Sequence, residues 1–126
     1  NVIYLFVDKD LSSLIFDDIR NNYKNNVMYN PSVSEFNRYK QKNSIVILDL
    51  ISRSPHNRTN KHDITIEKML VDIVAEKCIA SIFSSNEVPE IFENAFDSFY
   101  IDKKKLINYS KRRSKEEEIA RYLEGK

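Results

Sequence analysis

Two short segments, one continuously apolar and one mainly apolar, constrain the fold of this chain more than any other feature. Residues 2–7 read VIYLFV and residues 44–51 read SIVILDLI, and both runs are rich in β-branched residues. Continuous apolar runs of this length are typical of strands covered on both faces, as in a parallel sheet. We therefore expect two buried strands, with the strand at 2–7 in the centre of the sheet.

The sequence between these two runs alternates helix and strand patterns. Asp10 is placed to cap a helix, a short strand is predicted at 27–29, and Ser32 with Glu35 has the S-x-x-E spacing of a capping box. This order favours an α/β fold with a small mixed sheet and at least one right-handed parallel crossover. The residues of the first helix expected to face inward are Leu11, Leu14, Ile15, Ile19 and Tyr23.

The second half of the chain has mainly helical patterns. Residues 52–63 lack periodicity and predict an exposed loop or hinge, whereas the run at 78–83 fits either strand or helix, and we favour a fourth strand. The predicted helices have Thr65, Asp102 and Ser114 as caps, Pro89 in a first turn, Gly125 as a last cap, and a stripe of Ile66, Met69, Leu70, Ile73 and Val74. We expect one domain over residues 1–126, with an α/β half at 1–51 and a helical half at 64–125.

Composition excludes several classes of site. The chain has 126 residues and only one glycine, Gly125, so a Walker A loop, a GxGxxG turn and a GxSxG elbow are all absent. One cysteine permits no internal disulfide, and no apolar run has the roughly 20 residues of a membrane span. We expect a cytoplasmic protein without contact to a membrane. Because the chain opens on Asn1 and enters a strand pattern directly, we also expect a piece of a longer protein.

The residues that could support catalysis do not form a familiar pattern. His56 and His62 share one loop with Asp63, but the H-x5-H spacing is not the i,i+4 spacing of a preformed metal pair. A nuclease of the restriction-enzyme type requires an E-x-K motif on the strand after an acidic strand residue, and no E-x-K follows Asp49. Cys78 lies in an apolar run, where thiols are usually inert. We therefore predict a protein that is not an enzyme and that holds no metal or cofactor, with a nuclease-like domain as an alternative.

Two groups of cations are the candidate binding residues. With 20 basic and 19 acidic residues the net charge is only +1, so local clusters matter more than the total. The C-terminal cluster could contact phosphates or an acidic protein surface, and its alternative is a solvated face balanced by nearby glutamates. The candidates are Lys103, Lys104, Lys105, Lys111, Arg112, Arg113 and Lys115 in that cluster, with Arg53 and Arg58 in the loop.

Four stretches of the sequence resemble the C-terminal region of AbiEi-type antitoxins. They are LISRSP at 50–55, ITIEKMLVDIVAEK at 64–77, IFENAF at 91–96 and INYSKRRSKEEEIARYL at 107–123. AbiEi-like proteins are transcriptional regulators of bacterial type IV toxin-antitoxin systems linked to phage abortive infection. The resemblance points to the YSKRR turn at 109–113 and the SRSP segment at 52–55 as functional surfaces.

The resemblance also implies partners. It implies a neighbouring nucleotidyltransferase-like toxin, countered without stable contact, and DNA bound by an N-terminal winged helix outside this sequence. RNA is a further candidate partner. The leading hypothesis is thus a non-enzymatic antitoxin or regulatory effector domain. The alternatives are a nucleic-acid-binding or nuclease-like domain and a dimerisation or protein-interaction module.

Overall fold

The computed structural model describes residues 2–23, 26–51, 55 and 64–125. The chain forms two compact units, Asn1–Ile51 and Ser52–Lys126. Strands and helices alternate in the first unit, and the described elements of the second are helical. The elements are β1 Val2–Val7, α1 Lys9–Asn22, β2 Val27–Tyr29, α2 Val33–Tyr39, β3 Ser44–Asp49, α3 Ile66–Ala75, α4 Lys77–Ala80, α5 Glu87–Ser98, α6 Lys103–Arg112 and α7 Glu116–Leu123.

The predicted α/β fold with a small sheet and a helical C-terminal half is confirmed. The described strands form one sheet in the order β1-β3-β2, and both pairings are parallel, where a mixed sheet was expected. The central strand is β3 and not β1, so our placement of residues 2–7 in the centre was wrong. The burial agrees with this order, because residues Ser44 to Leu48 are buried whereas Ile3 of β1 is 46% exposed.

Helices α1 and α2 attach to the sheet through aromatic residues. Phe16 of α1 lies 6.3 Å from Tyr29 of β2, and Phe36 of α2 lies 6.4 Å from Tyr4 of β1, measured between ring centroids. The capping box of Ser32 with the third residue of α2 is present as predicted. The buried apolar residues of the first unit are Phe36 of α2 and Ile45, Val46, Ile47 and Leu48 of β3.

The start and the inward face of α1 differ from the prediction. The N-cap is Asp8, so Asp10 lies within the first turn, where its negative charge still favours the helix N-terminus. Leu11 and Leu14, expected to face inward, are 49% and 69% exposed, and the buried residue of this face is Ser12. The Ser12 hydroxyl lies 3.0 Å from the Tyr29 hydroxyl, so a polar contact replaces the expected apolar one.

The run at 78–83 is not a strand. Residues 77–80 form the short helix α4, in which the Ala80 amide donates to the Glu76 carbonyl at 2.8 Å, and a turn follows. Short apolar runs have no periodicity that distinguishes strand from helix, and here the preceding helix α3 continues with only a one-residue break. The Thr65 cap of α3 is confirmed, since its hydroxyl accepts from the Lys68 amide at 3.2 Å.

The turn between α6 and α7 shows why one predicted cap was wrong. Ser114 has a positive φ of 56° and occupies the position after the C-cap of α6, instead of capping α7. The Lys115 amide donates to the Ser110 carbonyl at 2.8 Å and the Ser114 amide donates to the Lys111 carbonyl at 3.1 Å, which is the hydrogen-bond pattern of a Schellman motif. The predicted caps Asp102 and Gly125 are in place, with Gly125 at a φ of 79° directly after Glu124, the C-cap of α7.

Candidate functional site

Helix α3 buries charged side chains along the face that meets α6. Glu67, Lys68 and Asp72 are 7%, 2% and 2% exposed, whereas Met69 of the predicted apolar stripe is 42% exposed. Charged residues are rarely buried unless they are paired, so their partners decide whether the helix can pack this way.

The partners come from α3 itself and from the end of α6, and together they form what we term the buried charge cluster: Lys68, Asp72, Glu76, Tyr109 and Arg113. The Lys68 ammonium donates to Asp72 Oδ2, and Asp72 Oδ1 accepts from the Tyr109 hydroxyl at 2.7 Å and from Arg113 at 2.8 Å. Arg113 also donates to Glu76 at 3.0 Å. Two cations therefore face two anions, and the cluster is electrically balanced.

Spacing along each helix explains why this cluster can form. Lys68, Asp72 and Glu76 follow one another at four-residue intervals, as do Tyr109 and Arg113, so each set lies on one helix face. A fourth contact joins the other ends of the two helices, because the Asp102 amide donates to the Glu67 carboxylate at 3.3 Å. The N-terminal end of α3 therefore contacts the N-terminal end of α6, and the C-terminal ends contact each other. Helices α3 and α6 thus run in the same direction and are joined at both ends.

The environment shifts the pKa values of the two cations, Lys68 and Arg113, in opposite directions. Burial lowers the pKa of Lys68, and the charge and hydrogen bond of Asp72 offset this only in part. Burial also disfavours the charged form of Arg113, but the hydrogen bond and electrostatic interaction with Tyr109, the charge of Asp72 and the hydrogen bond with Glu76 outweigh it and raise the pKa of Arg113. Arg113 is thus the permanent charge of the cluster, and Lys68 is the cation that burial destabilises.

Because the pKa of Lys68 is lowered, the free energy of unfolding changes with pH in the alkaline range. Between the lowered folded-state pKa and the unfolded value of 10.5, the unfolded chain holds more protons on this side chain, so stability rises with pH across that window. We expect the free energy of unfolding of the wild type, relative to Lys68→Met, to be higher at about pH 10 than at about pH 7. Urea denaturation of both proteins at the two pH values measures it; a constant difference would contradict it.

The predicted basic cluster is divided by the structure. Arg113 is inside the buried charge cluster, with 11% of its side chain exposed, and so is not part of an outer surface. Lys111 lies 3.8 Å from Glu116, and Lys115 lies 3.3 Å from Glu118, as the balanced-face alternative supposes. Exposed ion pairs of this kind contribute roughly 0–1 kcal/mol and leave the cations accessible. The exposed members on α6 are Lys103, Lys104, Lys105, Lys111 and Arg112.

The exposed cations of α6 lie mainly opposite its buried face. Leu106, Tyr109 and Ser110 are buried, and at about 100° per residue Lys104 and Lys111 lie on the opposite side of the helix. A shallow depression of about 330 Å³ adjoins the C-terminal end, lined by both Lys111 and the three glutamates of the first turn of α7. The surface is therefore basic along α6 and mixed in charge at the turn to α7.

The remaining candidates lie outside the described residues or are inaccessible. Arg53, Arg58, His56, His62 and Asp63 belong to the part of the chain that the structure does not describe. Cys78 is 2% exposed, and burial followed by the charge of Glu76 raises its pKa to about 11, which leaves the thiol protonated at neutral pH. Within residues 2–23, 26–51, 55 and 64–125, no three His, Cys, Asp or Glu side chains are grouped as metal ligands.

Sequence reasoning missed the buried charge cluster, although a signal was present. Glu67-Lys68 and Glu76-Lys77 are adjacent pairs whose side chains diverge. The partner of Lys68 is Asp72, four residues away, whereas the partner of Glu76 is Arg113 on α6. Two helices with complementary charges at this spacing can pair through those faces. Burial of that face could not be inferred, because charged stripes are normally exposed to solvent.

Fold and site together define a class: a three-stranded parallel α/β unit followed by a helical unit that is held together by an internal charge network. None of the described helices combines the length and apolar character needed to cross a bilayer. The chain belongs to the DUF6577 family, a family of unknown function, whose model matches residues 1–126. Comparison with curated proteins and with solved structures found no match.

Proposed function

We propose that this chain is the non-enzymatic effector domain of a cytoplasmic, AbiEi-like bacterial antitoxin. In this proposal it counters a nucleotidyltransferase-like toxin encoded nearby, and operon repression resides in a winged helix outside residues 1–126. The proposal rests on the resemblance of four sequence stretches, the longest of which covers residues 107–123. The family match supplies no function of its own, so the geometry of this last stretch matters most.

One observation carries the proposal: the YSKRR segment at 109–113 presents Lys111 and Arg112 to solvent from a rigid backbone. Tyr109 and Arg113 are held inside by Asp72, at 2.7 and 2.8 Å, while the intervening Lys111 and Arg112 are exposed. The Schellman turn that follows further restricts the backbone. Functional side chains bind more tightly when their scaffold is preorganised, and this segment meets that condition.

Growth rescue tests the proposal. The toxin is expressed in bacteria with the complete gene product, with residues 1–126 alone, and with either protein carrying Lys111→Glu and Arg112→Glu. We expect the unaltered proteins to restore growth and the charge-reversed ones to fail, because glutamates at these two positions would repel an anionic partner that the cations attract. Arg113 is left unchanged in every variant, since its replacement would disrupt the buried charge cluster instead of the surface.

The matched control reverses two exposed charges elsewhere, Lys9→Glu with Lys42→Glu, and should still rescue. Circular dichroism of each purified protein shows whether it is folded. If the complete gene product does not rescue, or no such toxin is encoded nearby, the antitoxin proposal fails. The exposed Leu11 and Leu14 of α1 would then favour the protein-interaction alternative.

A further inference from the structure

The segment that joins α5 to α6 leaves two aromatic rings in solvent. Phe99 is 60% exposed and Tyr100 is 89% exposed, and they are adjacent in sequence. Aromatic side chains are the largest apolar groups available for burial, so exposing two in succession forgoes stabilisation that folding could have gained. The two other aromatic side chains that are more than half exposed, Tyr23 and Tyr39, lie in the first unit and are not adjacent to each other in sequence.

Three lysines follow after Ile101 and Asp102, at the N-terminal end of α6, where cations are least favoured. Lys103, Lys104 and Lys105 are the first three residues of the helix, and all are exposed. The helix dipole places partial positive charge at this end, so each cation there is unfavourable. The Asp102 carboxylate, which accepts from the amides of Lys104 and Lys105 at 3.1 and 3.2 Å, offsets part of that cost.

The exposed aromatic pair and the lysines at the helix N-terminus both lower stability. Natural sequences depart from local stability rules chiefly where function requires it, so these two features indicate a functional segment. The chemistry of the two groups is complementary. Lysine side chains neutralise phosphates, and exposed aromatic rings stack on unpaired bases. Duplex nucleic acid and acidic proteins would use the cations but offer no free base face to the rings, so the combination selects single strands.

We propose that residues 99–105 bind single-stranded nucleic acid, with Phe99 and Tyr100 stacking on bases and Lys103, Lys104 and Lys105 contacting the backbone. RNA and single-stranded DNA share this chemistry, and the experiment below separates them. The inference goes beyond the antitoxin proposal and does not depend on it, since it concerns a different segment and is measured without a toxin.

Fluorescence anisotropy with labelled oligouridylate, oligodeoxythymidylate and a duplex, each of about 12 nucleotides or base pairs, tests the proposal. The wild-type chain should bind both single strands more tightly than the duplex; tighter binding of oligouridylate would identify RNA. Tyr100→Ser should weaken binding by about 5- to 150-fold, as expected for loss of one stacked base. Lys104→Glu with Lys105→Glu should also weaken it and lower the salt-dependence slope by about 1.4.

A second measurement separates lost contacts from lost folding. The lysine-to-glutamate pair places favourable charge at the α6 N-terminus, so its urea midpoint should be equal to or higher than the wild-type midpoint while binding falls. Tyr23→Ser, which removes a ring that is also 60% exposed, and Lys9→Glu with Lys42→Glu serve as controls and should bind like wild type.

Three results would overturn the proposal: no binding of either single strand by the folded wild-type chain, equal or tighter binding of the duplex, or unchanged affinity in Tyr100→Ser and in the lysine pair. Should the lysine pair prove unfolded, Tyr100→Ser and the milder Lys104→Gln with Lys105→Gln decide the question. Failure of growth rescue with single-strand binding intact would remove the antitoxin proposal and leave this one standing.

Discussion

Asp72→Asn is expected to lower the free energy of unfolding by about 3–5 kcal/mol, the range found when one partner of a buried ion pair is removed. Asp72 is 2% exposed and accepts from Lys68, Tyr109 and Arg113. Asparagine keeps the shape but removes the charge that both cations require, so two buried cations would face Glu76 alone. An effect of this size is a large fraction of the total stability of a small domain.

Urea denaturation followed by far-ultraviolet circular dichroism measures this effect as a lower midpoint at unchanged slope. The matched control is Asp97→Asn on α5, an exposed aspartate whose replacement should change stability by less than about 0.5 kcal/mol. Equal midpoints for the two variants would show that the buried charge cluster does not stabilise the second unit.

Arg113→Met is expected to destabilise the protein by about 2–3 kcal/mol, whereas Arg112→Met should cost less than about 1 kcal/mol. The two arginines are adjacent in sequence and belong to the same predicted basic surface. Arg113 donates to Asp72 at 2.8 Å and to Glu76 at 3.0 Å, and its loss leaves both carboxylates short of a cationic partner. Arg112 is exposed, and contacts made in solvent contribute little.

The same urea experiment on the two methionine variants tests this contrast, and growth rescue extends it. Arg112→Met should weaken rescue with only a small change in the unfolding midpoint, because the side chain acts at the surface. Arg113→Met should lower the unfolding midpoint, and any loss of rescue should result from unfolding of the protein. The reverse pattern, with Arg112 as the stabilising residue, would be incompatible with the packing of α6 on α3.

The buried charge cluster also bears on how α6 presents its cations. Tyr109 and Arg113 bind Asp72 at the C-terminal end of α6, and Asp102 contacts Glu67 at the N-terminal end. A helix held at both ends by directional hydrogen bonds has a defined rotation about its axis, in contrast to one held by apolar contacts alone. The exposed lysines of α6 are thereby set in one orientation, which both proposals use.

Much of the fold could be predicted because its signals are local. The apolar runs at 2–7 and 44–51 identify strands, and the caps Ser32, Thr65 and Asp102 mark helix starts, since a cap is satisfied by amides two or three residues away. The errors arose where a local pattern had two solutions. Residues 78–83 suit strand or helix, and Ser114 suits an N-cap or the left-handed residue of a Schellman turn.

Sequence alone determined most of the strands and helices, residues 78–83 excepted, and which cations stand near one another in the chain, because spacing and composition act over a few residues. Only the tertiary structure decided the order β1-β3-β2 and the separation of Arg113 from Arg112, one inside and one outside. The reason is physical: the free energy of burying a charge depends on partners such as Asp72, 41 residues away in sequence, that only the fold brings into contact.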